Sequence, residues 1–202
     1  MSGPAREPPP QPPPDLAARD PHLVRLAQGT VLHRFFTAGF DPVFFDRSRD
    51  GRLNAPDGSY GVLYAAQSES GAFAETFLRQ PGRTLIPPDL LAGKAYVRLE
   101  VLRPLTLIKF SGPGLGRLGA TAEVVHGGRP YATSQAWSRA LHAHPRRADG
   151  IAYTARHDDE AVCFALFDGA PGPVAETGRD AALDAPWFWR LAEPYGVGLA
   201  PG

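Results

Sequence analysis

The sequence predicts an α/β (α+β) fold, a compact mixed sheet with flanking helices. Short apolar runs of strand character recur at 31–36 (VLHRFF), 61–66 (GVLYAA) and 95–109 (AYVRLEVLRPLTLIK), and again on both sides of a polar hairpin at 157–160. Two other stretches, 68–78 and 133–144, space their apolar residues as helices do. The chain has 202 residues, enough for one domain with a sizeable core.

Taken in order, residues 1–20 (MSGPAREPPPQPPPDLAARD) are rich in proline, which has no backbone N–H, and offer little to bury. They predict a disordered Pro-rich tail over 1–21, with the folded domain occupying 22–202. Val31, Leu32, Phe35 and Phe36 then form a strand around His33 and Arg34. Gly, Asp, Asn, Ser and Pro crowd residues 37–60, which predicts loop, with Phe40, Phe44 and Phe45 pinning it to the core. The 61–66 run suits a buried strand. Ser68 or Ser70 caps the following helix, where Phe73 and Phe77 share a face and Glu75 lies roughly opposite.

Alternation over 95–109 is broken at Pro104, which predicts two strands or a bent one. The glycine-rich 112–119 reads as a flexible loop, since it fits neither a phosphate loop nor a dinucleotide fingerprint. The second helix, 133–144, would be capped by Thr133 or Ser134 and bury Ala136, Trp137, Ala140 and Leu141. A strand, the hairpin His157–Glu160 and another strand follow. The Gly/Pro-rich tail from Gly169 carries WFWRL (187–191) as a short docked helix.

Composition narrows the function. Lysine plus arginine equals aspartate plus glutamate at 21 each, so the chain has no polyanion-binding footprint and any anion must be captured locally. Direct nucleic-acid binding is not expected. Neither a signal peptide nor a membrane span is visible, which predicts a cytoplasmic protein. No Cys/His cluster has zinc spacing, and the single Cys163 lies in an apolar run as a packing residue. A serine-hydrolase elbow is absent. The His157, Asp158, Asp159, Glu160 run reads as a solvated turn rather than a metal site.

Four residues on consecutive elements remain: Arg34, Arg52, Tyr64 and Glu75. A cation in an apolar strand is costly without an anionic partner, so Arg34 needs a core carboxylate or a ligand phosphate, whose oxygens suit the guanidinium fork. Arg52 follows a glycine, which lets the backbone approach a ligand closely. From the residues alone, a buried salt bridge or a surface position fits each arginine about as well, and periodicity alone would leave Glu75 in solvent.

The pattern Arg34, Gly51-Arg52-Leu53-Asn54, Leu63-Tyr64-Ala65-Ala66, Ser70, Ala72, Glu75, Thr133-Ser134-Gln135-Ala136-Trp137 and Asp149-Gly150-Ile151, Tyr153, Arg156 resembles the RES domain over residues 22–170. The resemblance implies a fold similar to ADP-ribosyltransferase toxins. It implies a bacterial toxin, paired with an Xre-type helix-turn-helix antitoxin, that attacks NAD⁺ at the nicotinamide–ribose bond. The activity would be that of an NAD⁺ glycohydrolase or phosphorylase, with inorganic phosphate as co-substrate in the second case. Protein ADP-ribosyltransfer is the alternative. NAD⁺ is then substrate, with no cofactor and no metal, and a homodimer is compatible.

The implied catalytic residues are Glu75 and Arg52; Arg34, Arg52, Tyr64, Tyr153 and Arg156 would bind NAD⁺. Glu75 would stabilise the charge that develops on the ribose, and the arginines would hold the pyrophosphate. Tyr64 would stack on the nicotinamide or hydrogen-bond it. One position departs from the pattern. The stretch Tyr153-Thr154-Ala155-Arg156 places alanine where the family serine is expected. Thr154 should face the other side of its strand, and Ser134 is another hydroxyl to consider. A catalytically impaired NAD-binding module is therefore a third reading.

Overall fold

The computed structural model describes residues 8–80, 82, 84–169 and 171–201. Strands β1 (Leu23–Leu26), β2 (Val31–Thr37), β3 (Val62–Ala66), β4 (Leu85–Ile86), β5 (Lys94–Val101), β6 (Leu105–Lys109), β7 (Gly150–Ala155), β8 (Asp158–Phe167), β9 (Val174–Asp180) and β10 (Gly198–Leu199) form two sheets. The large one has the order β1-β6-β7-β8-β3-β2-β5-β9, and β4 pairs with β10 apart from it. Only β6 and β7 run parallel in the large sheet, so it is mixed, as expected. The helices are α1 (Glu69–Phe77), α2 (Pro88–Ala92), α3 (Pro113–Leu118), α4 (Ala122–His126), α5 (Ala132–His142) and α6 (Pro186–Ala192). None is long and apolar enough to cross a membrane.

Each strand face buries its own set. On β3, Leu63 and Ala65 join a cluster with Leu32, Val97, Leu99 and Phe164, while Val62 and Ala66 join the larger helix-covered cluster. Both faces of the central strands are thus apolar, and their sequences read as runs rather than strict alternation.

Ser68 caps α1 by accepting from the Gly71 N–H at 3.1 Å. Phe73 and Phe77 both meet Phe188 of α6, at centroid distances of 5.4 and 5.1 Å, and Phe77 meets Phe35 at 5.2 Å. This aromatic knot clamps one side of α1 and turns Glu75 the other way.

The sheet is incomplete between β2 and β3. These strands share a single paired position, His33 with Ala66, and then diverge. The free Tyr64 carbonyl in the gap accepts instead from Arg34 Nη1 at 3.1 Å. A side chain thus supplies the donor that a neighbouring strand would give.

Several expectations need correction. Residues 112–119 are not a loop but contain α3, and Ala122–His126 adds α4. No side chain caps α5, which starts from Tyr131; Ser134 Oγ instead donates to the Val124 carbonyl. Its buried face is Ser134, Gln135, Trp137, Ser138 and Leu141, so it carries polar groups inward. Phe40 (63% exposed) and Phe44 (49% exposed) do not pin their loop to the core. β9 lies in the stretch read as Gly/Pro tail. Of the expected N-terminal tail, residues 1–7 lie outside the described residues, and the stretch from Pro8 is mostly exposed or half-buried but touches the domain. Trp137 Nε1 donates to the Pro10 carbonyl at 2.7 Å, and Leu16 is buried.

Candidate active site

The divergence of β2 and β3 opens a cleft of about 610 Å³ between β2, the 38–61 connection, β3 and α1. That size lies within the range of small-molecule and cofactor sites. Arg34, Arg52, Tyr64, Glu75, Tyr153 and Arg156 all line it. Residues separated by as much as 122 positions in sequence are brought to one cavity by the strand order β7-β8-β3-β2.

Glu75 faces the cleft, not bulk solvent. Its Oε1 accepts from the Arg156 backbone N–H at 3.0 Å and its Oε2 from the Tyr153 hydroxyl at 3.3 Å. Burial, then the Glu75 charge, pushes the Tyr153 hydroxyl well above its usual range, so it stays protonated and donates. The carboxylate is fixed by two donors from β7 and its turn, with lone pairs left for a ligand.

The 46–54 loop is held by a polar scaffold. Asn54 is fully buried; its amide donates to Asp46 Oδ2 and the Ser48 carbonyl, and its Oδ1 accepts from the Tyr64 hydroxyl at 2.9 Å. The Tyr64 oxygen in turn accepts from the Leu53 N–H at 2.8 Å. From α5, Gln135 Nε2 donates to the Arg49 and Gly51 carbonyls and Ser138 Oγ donates to Leu53. A Cβ at Gly51 would sit 2.1 Å from Asn54 Oδ1, so only glycine allows the tuck. The Tyr64 hydroxyl is thus committed to the loop; its ring alone faces the cleft. Gln135 and Asn54, quoted above only as parts of a pattern, are what position Arg52.

Two of the arginines keep a buried Nε without a partner. Arg34 Nε, Arg52 Nε and His157 Nε2 are the buried side-chain atoms without a hydrogen-bond partner among the described residues, and all three residues line this cleft. Burial lowers Arg34 to about 10, against the raising effect of Asp46, so it remains a cation at neutral pH. The Arg52 guanidinium lies 5.8 Å from the Tyr131 ring centroid. Burial, then Arg156, lowers His157 below its ordinary value, leaving it neutral at pH 7. Sequence reading missed His157 as a cleft residue because a polar hairpin ordinarily faces water.

Other motif residues serve the frame. Asp149 Oδ2 accepts from the Thr106 N–H and Asp149 pairs with Arg103 at 2.7 Å. A Cβ on Gly150 would meet the Ala165 carbonyl at 2.3 Å, so β7 and β8 close only over glycine. Ala155 is fully buried, Thr154 Oγ1 contacts His126 Nε2 at 3.3 Å, and Ser134 bonds Val124; none of the three lines the cleft. Cys163 is buried, and burial pushes its thiol far up.

A mixed α+β sheet split by an arginine-lined cleft around one fixed carboxylate defines the class. The sequence matches the RES domain over residues 22–187, and the chain belongs to that family. No curated protein matches it. Among solved structures it is similar to a chain of the M. tuberculosis MbcT–MbcA toxin–antitoxin complex. The TM-score is 0.63 at 16% identity, over 84% of this chain and 92% of the other. That likeness is one of fold.

Proposed function

We propose that the protein consumes NAD⁺ by cleaving the nicotinamide–ribose bond, with Glu75 beside the ribose and the arginines on the pyrophosphate. The carrying observation is that the orphaned buried atoms of Arg34, Arg52 and His157 line the same cleft as Glu75. Buried guanidinium donors without partners cost free energy that a bound anion returns. Cleavage builds positive charge on the ribose, and a carboxylate held in place by the Arg156 N–H and Tyr153 hydroxyl meets it without reorganising. Preorganised groups of this kind contribute about 3–4 kcal/mol each. Tyr153 and Arg156 orient Glu75, and Tyr64 supplies its ring to the cleft wall.

Membership of the RES family and the fold shared with a toxin–antitoxin complex support the role of a toxin neutralised by a helix-turn-helix partner. Water or inorganic phosphate is the acceptor, giving a glycohydrolase or a phosphorylase. The test is purified protein with NAD⁺, with and without phosphate, followed by free nicotinamide. Release that rises with phosphate identifies phosphorolysis, and release indifferent to phosphate identifies hydrolysis. No release from folded protein under either condition refutes cleavage.

The impaired-module reading rests on Ala155. Because this position is fully buried and away from the cleft lining, alanine there removes no hydroxyl from the cleft. A gain of turnover in Ala155→Ser from an inactive wild type would restore that reading. Transfer of label from NAD⁺ to a protein target would establish ADP-ribosyltransfer instead.

A further inference from the structure

The cleft carries cations that the chemistry at Glu75 does not use. Arg79 follows α1, one turn beyond Glu75, and its Nε donates to the Glu75 main-chain carbonyl at 3.0 Å. Lys94 opens β5 opposite Thr37, and its Nζ donates to Thr37 Oγ1 at 2.9 Å, which holds it at the end of the strand that bears Arg34. Both line the same cleft as Arg34. Among the described residues none of these three forms an ion pair.

The carboxylates that face Arg34, Asp46 and Asp41, are engaged elsewhere. Asp46 accepts from Ser48 and the Asn54 amide, and Asp41 accepts from the Val43 N–H. Burial, then the charges of Arg79 and Arg34, holds the Lys94 ammonium below its usual range. Like charges gathered in a cleft raise one another's energy until an anion enters. On the connection beside them, Phe40 and Phe44 line the cleft with 63% and 49% of their surface exposed. Cations next to open aromatic faces are the chemistry that takes a nucleotide, phosphate on the charges and base against the rings.

We propose that Arg79 and Lys94, together with Arg34, hold the AMP half of the dinucleotide, with its base against Phe40 and Phe44. This rests on the NAD⁺ reading and gives the substrate a direction. The nicotinamide ribose lies at the Glu75, Tyr153 and Arg156 end. The adenosine lies at the rim where β2 runs into the exposed loop. Nothing in the RES resemblance pointed to Arg79, Lys94 or either phenylalanine.

The experiment titrates ADP-ribose by calorimetry into wild type, Arg79→Ala and Lys94→Met, and measures nicotinamide release from NAD⁺ and from nicotinamide mononucleotide, which lacks the AMP half. Each substitution is expected to weaken ADP-ribose about tenfold. It should raise KM for NAD⁺ by a similar factor with kcat retained, and produce no such rise for the mononucleotide. Arg79 is exposed, so R79A keeps the test valid should K94M fail to fold. Equal ADP-ribose affinity in wild type and R79A overturns the proposal. Wild type that binds ADP-ribose through Arg79 and Lys94 but releases no nicotinamide sinks the cleavage reading and keeps the subsite. Release indifferent to both substitutions does the reverse.

Discussion

The 46–54 scaffold and the cations that line the cleft handle their polar groups in opposite ways. On the 46–54 wall the groups are paired inward: Asn54, Tyr64, Gln135 and Ser138 spend their hydrogen bonds on the loop itself. On the same loop Arg52, and across the cavity Arg34, keep buried Nε atoms without partners, and along the rim Arg79 and Lys94 form no ion pair among the described residues. A pocket's polar residues thus divide into those that make its shape and those left for a ligand. Tyr64 and Arg34 look alike in sequence, as polar residues in apolar strands, yet fall on opposite sides of that division.

The comparison predicts two kinds of mutational effect. The largest is at the carboxylate. Glu75→Gln keeps the Arg156 and Tyr153 contacts in outline but removes the charge, and nicotinamide release should fall by about 100- to 1000-fold with the melting temperature little changed. Asn54→Ala should act the other way. Leaving half-buried Asp46 and the Tyr64 hydroxyl with broken partners should cost about 2–3 kcal/mol of stability by denaturant titration, and activity should fall along with it. If Asn54→Ala leaves stability unchanged, the scaffold side of the comparison fails.

Arg52→Ala should lower kcat/KM for NAD⁺ by about 10- to 100-fold without loss of stability, since its Nε has no partner to lose. Tyr64→Phe is milder. It retains the ring and loses the bonds to Leu53 and Asn54, which should cost about 1 kcal/mol, read mainly as a lower melting temperature. A large loss of turnover with unchanged stability would instead place the Tyr64 hydroxyl on substrate.

The smallest effect is in pH. His157 is held below its ordinary 6.5 by burial and then Arg156. The unfolded histidine therefore takes up a proton before the folded one. Its contribution is complete above pH 6.5 and is lost as pH falls through the lower folded value. The melting temperature should decline on acidification below pH 6.5, and His157→Gln should make the decline shallower. His33, His126 and His142 are depressed too, so the slope should not vanish.

Period and turn chemistry made much of the frame legible. Strand β2, strand β3 and helix α1 stood out because apolar runs and a serine cap are local signals. Edge strand β9 did not, since VAETGRD buries few residues and its neighbours are glycine and proline. Helix α3 was hidden by its glycines, and the inward polar face of α5 by the habit of reading apolar residues as the buried ones. Within the cleft, Arg34, Arg52, Tyr64, Glu75, Tyr153 and Arg156 are legible as one site only through the family pattern. Periodicity alone put Glu75 in solvent, because the wheel shows only which side of α1 opposes Phe73 and Phe77. That this side meets the Arg156 N–H across 81 residues is a tertiary fact. The use of Tyr64 as a loop anchor and the packing of Pro10 on Trp137 are likewise long-range bonds that no local window contains.

A crystal structure of Glu75→Gln soaked with NAD⁺ tests the account most directly, since the variant should hold substrate intact. The account predicts the nicotinamide ribose against residue 75 and pyrophosphate oxygens within about 3 Å of the Arg34 or Arg52 Nε atoms. Dinucleotide bound away from this cleft, or lying in it with its phosphates remote from both guanidiniums, would contradict it.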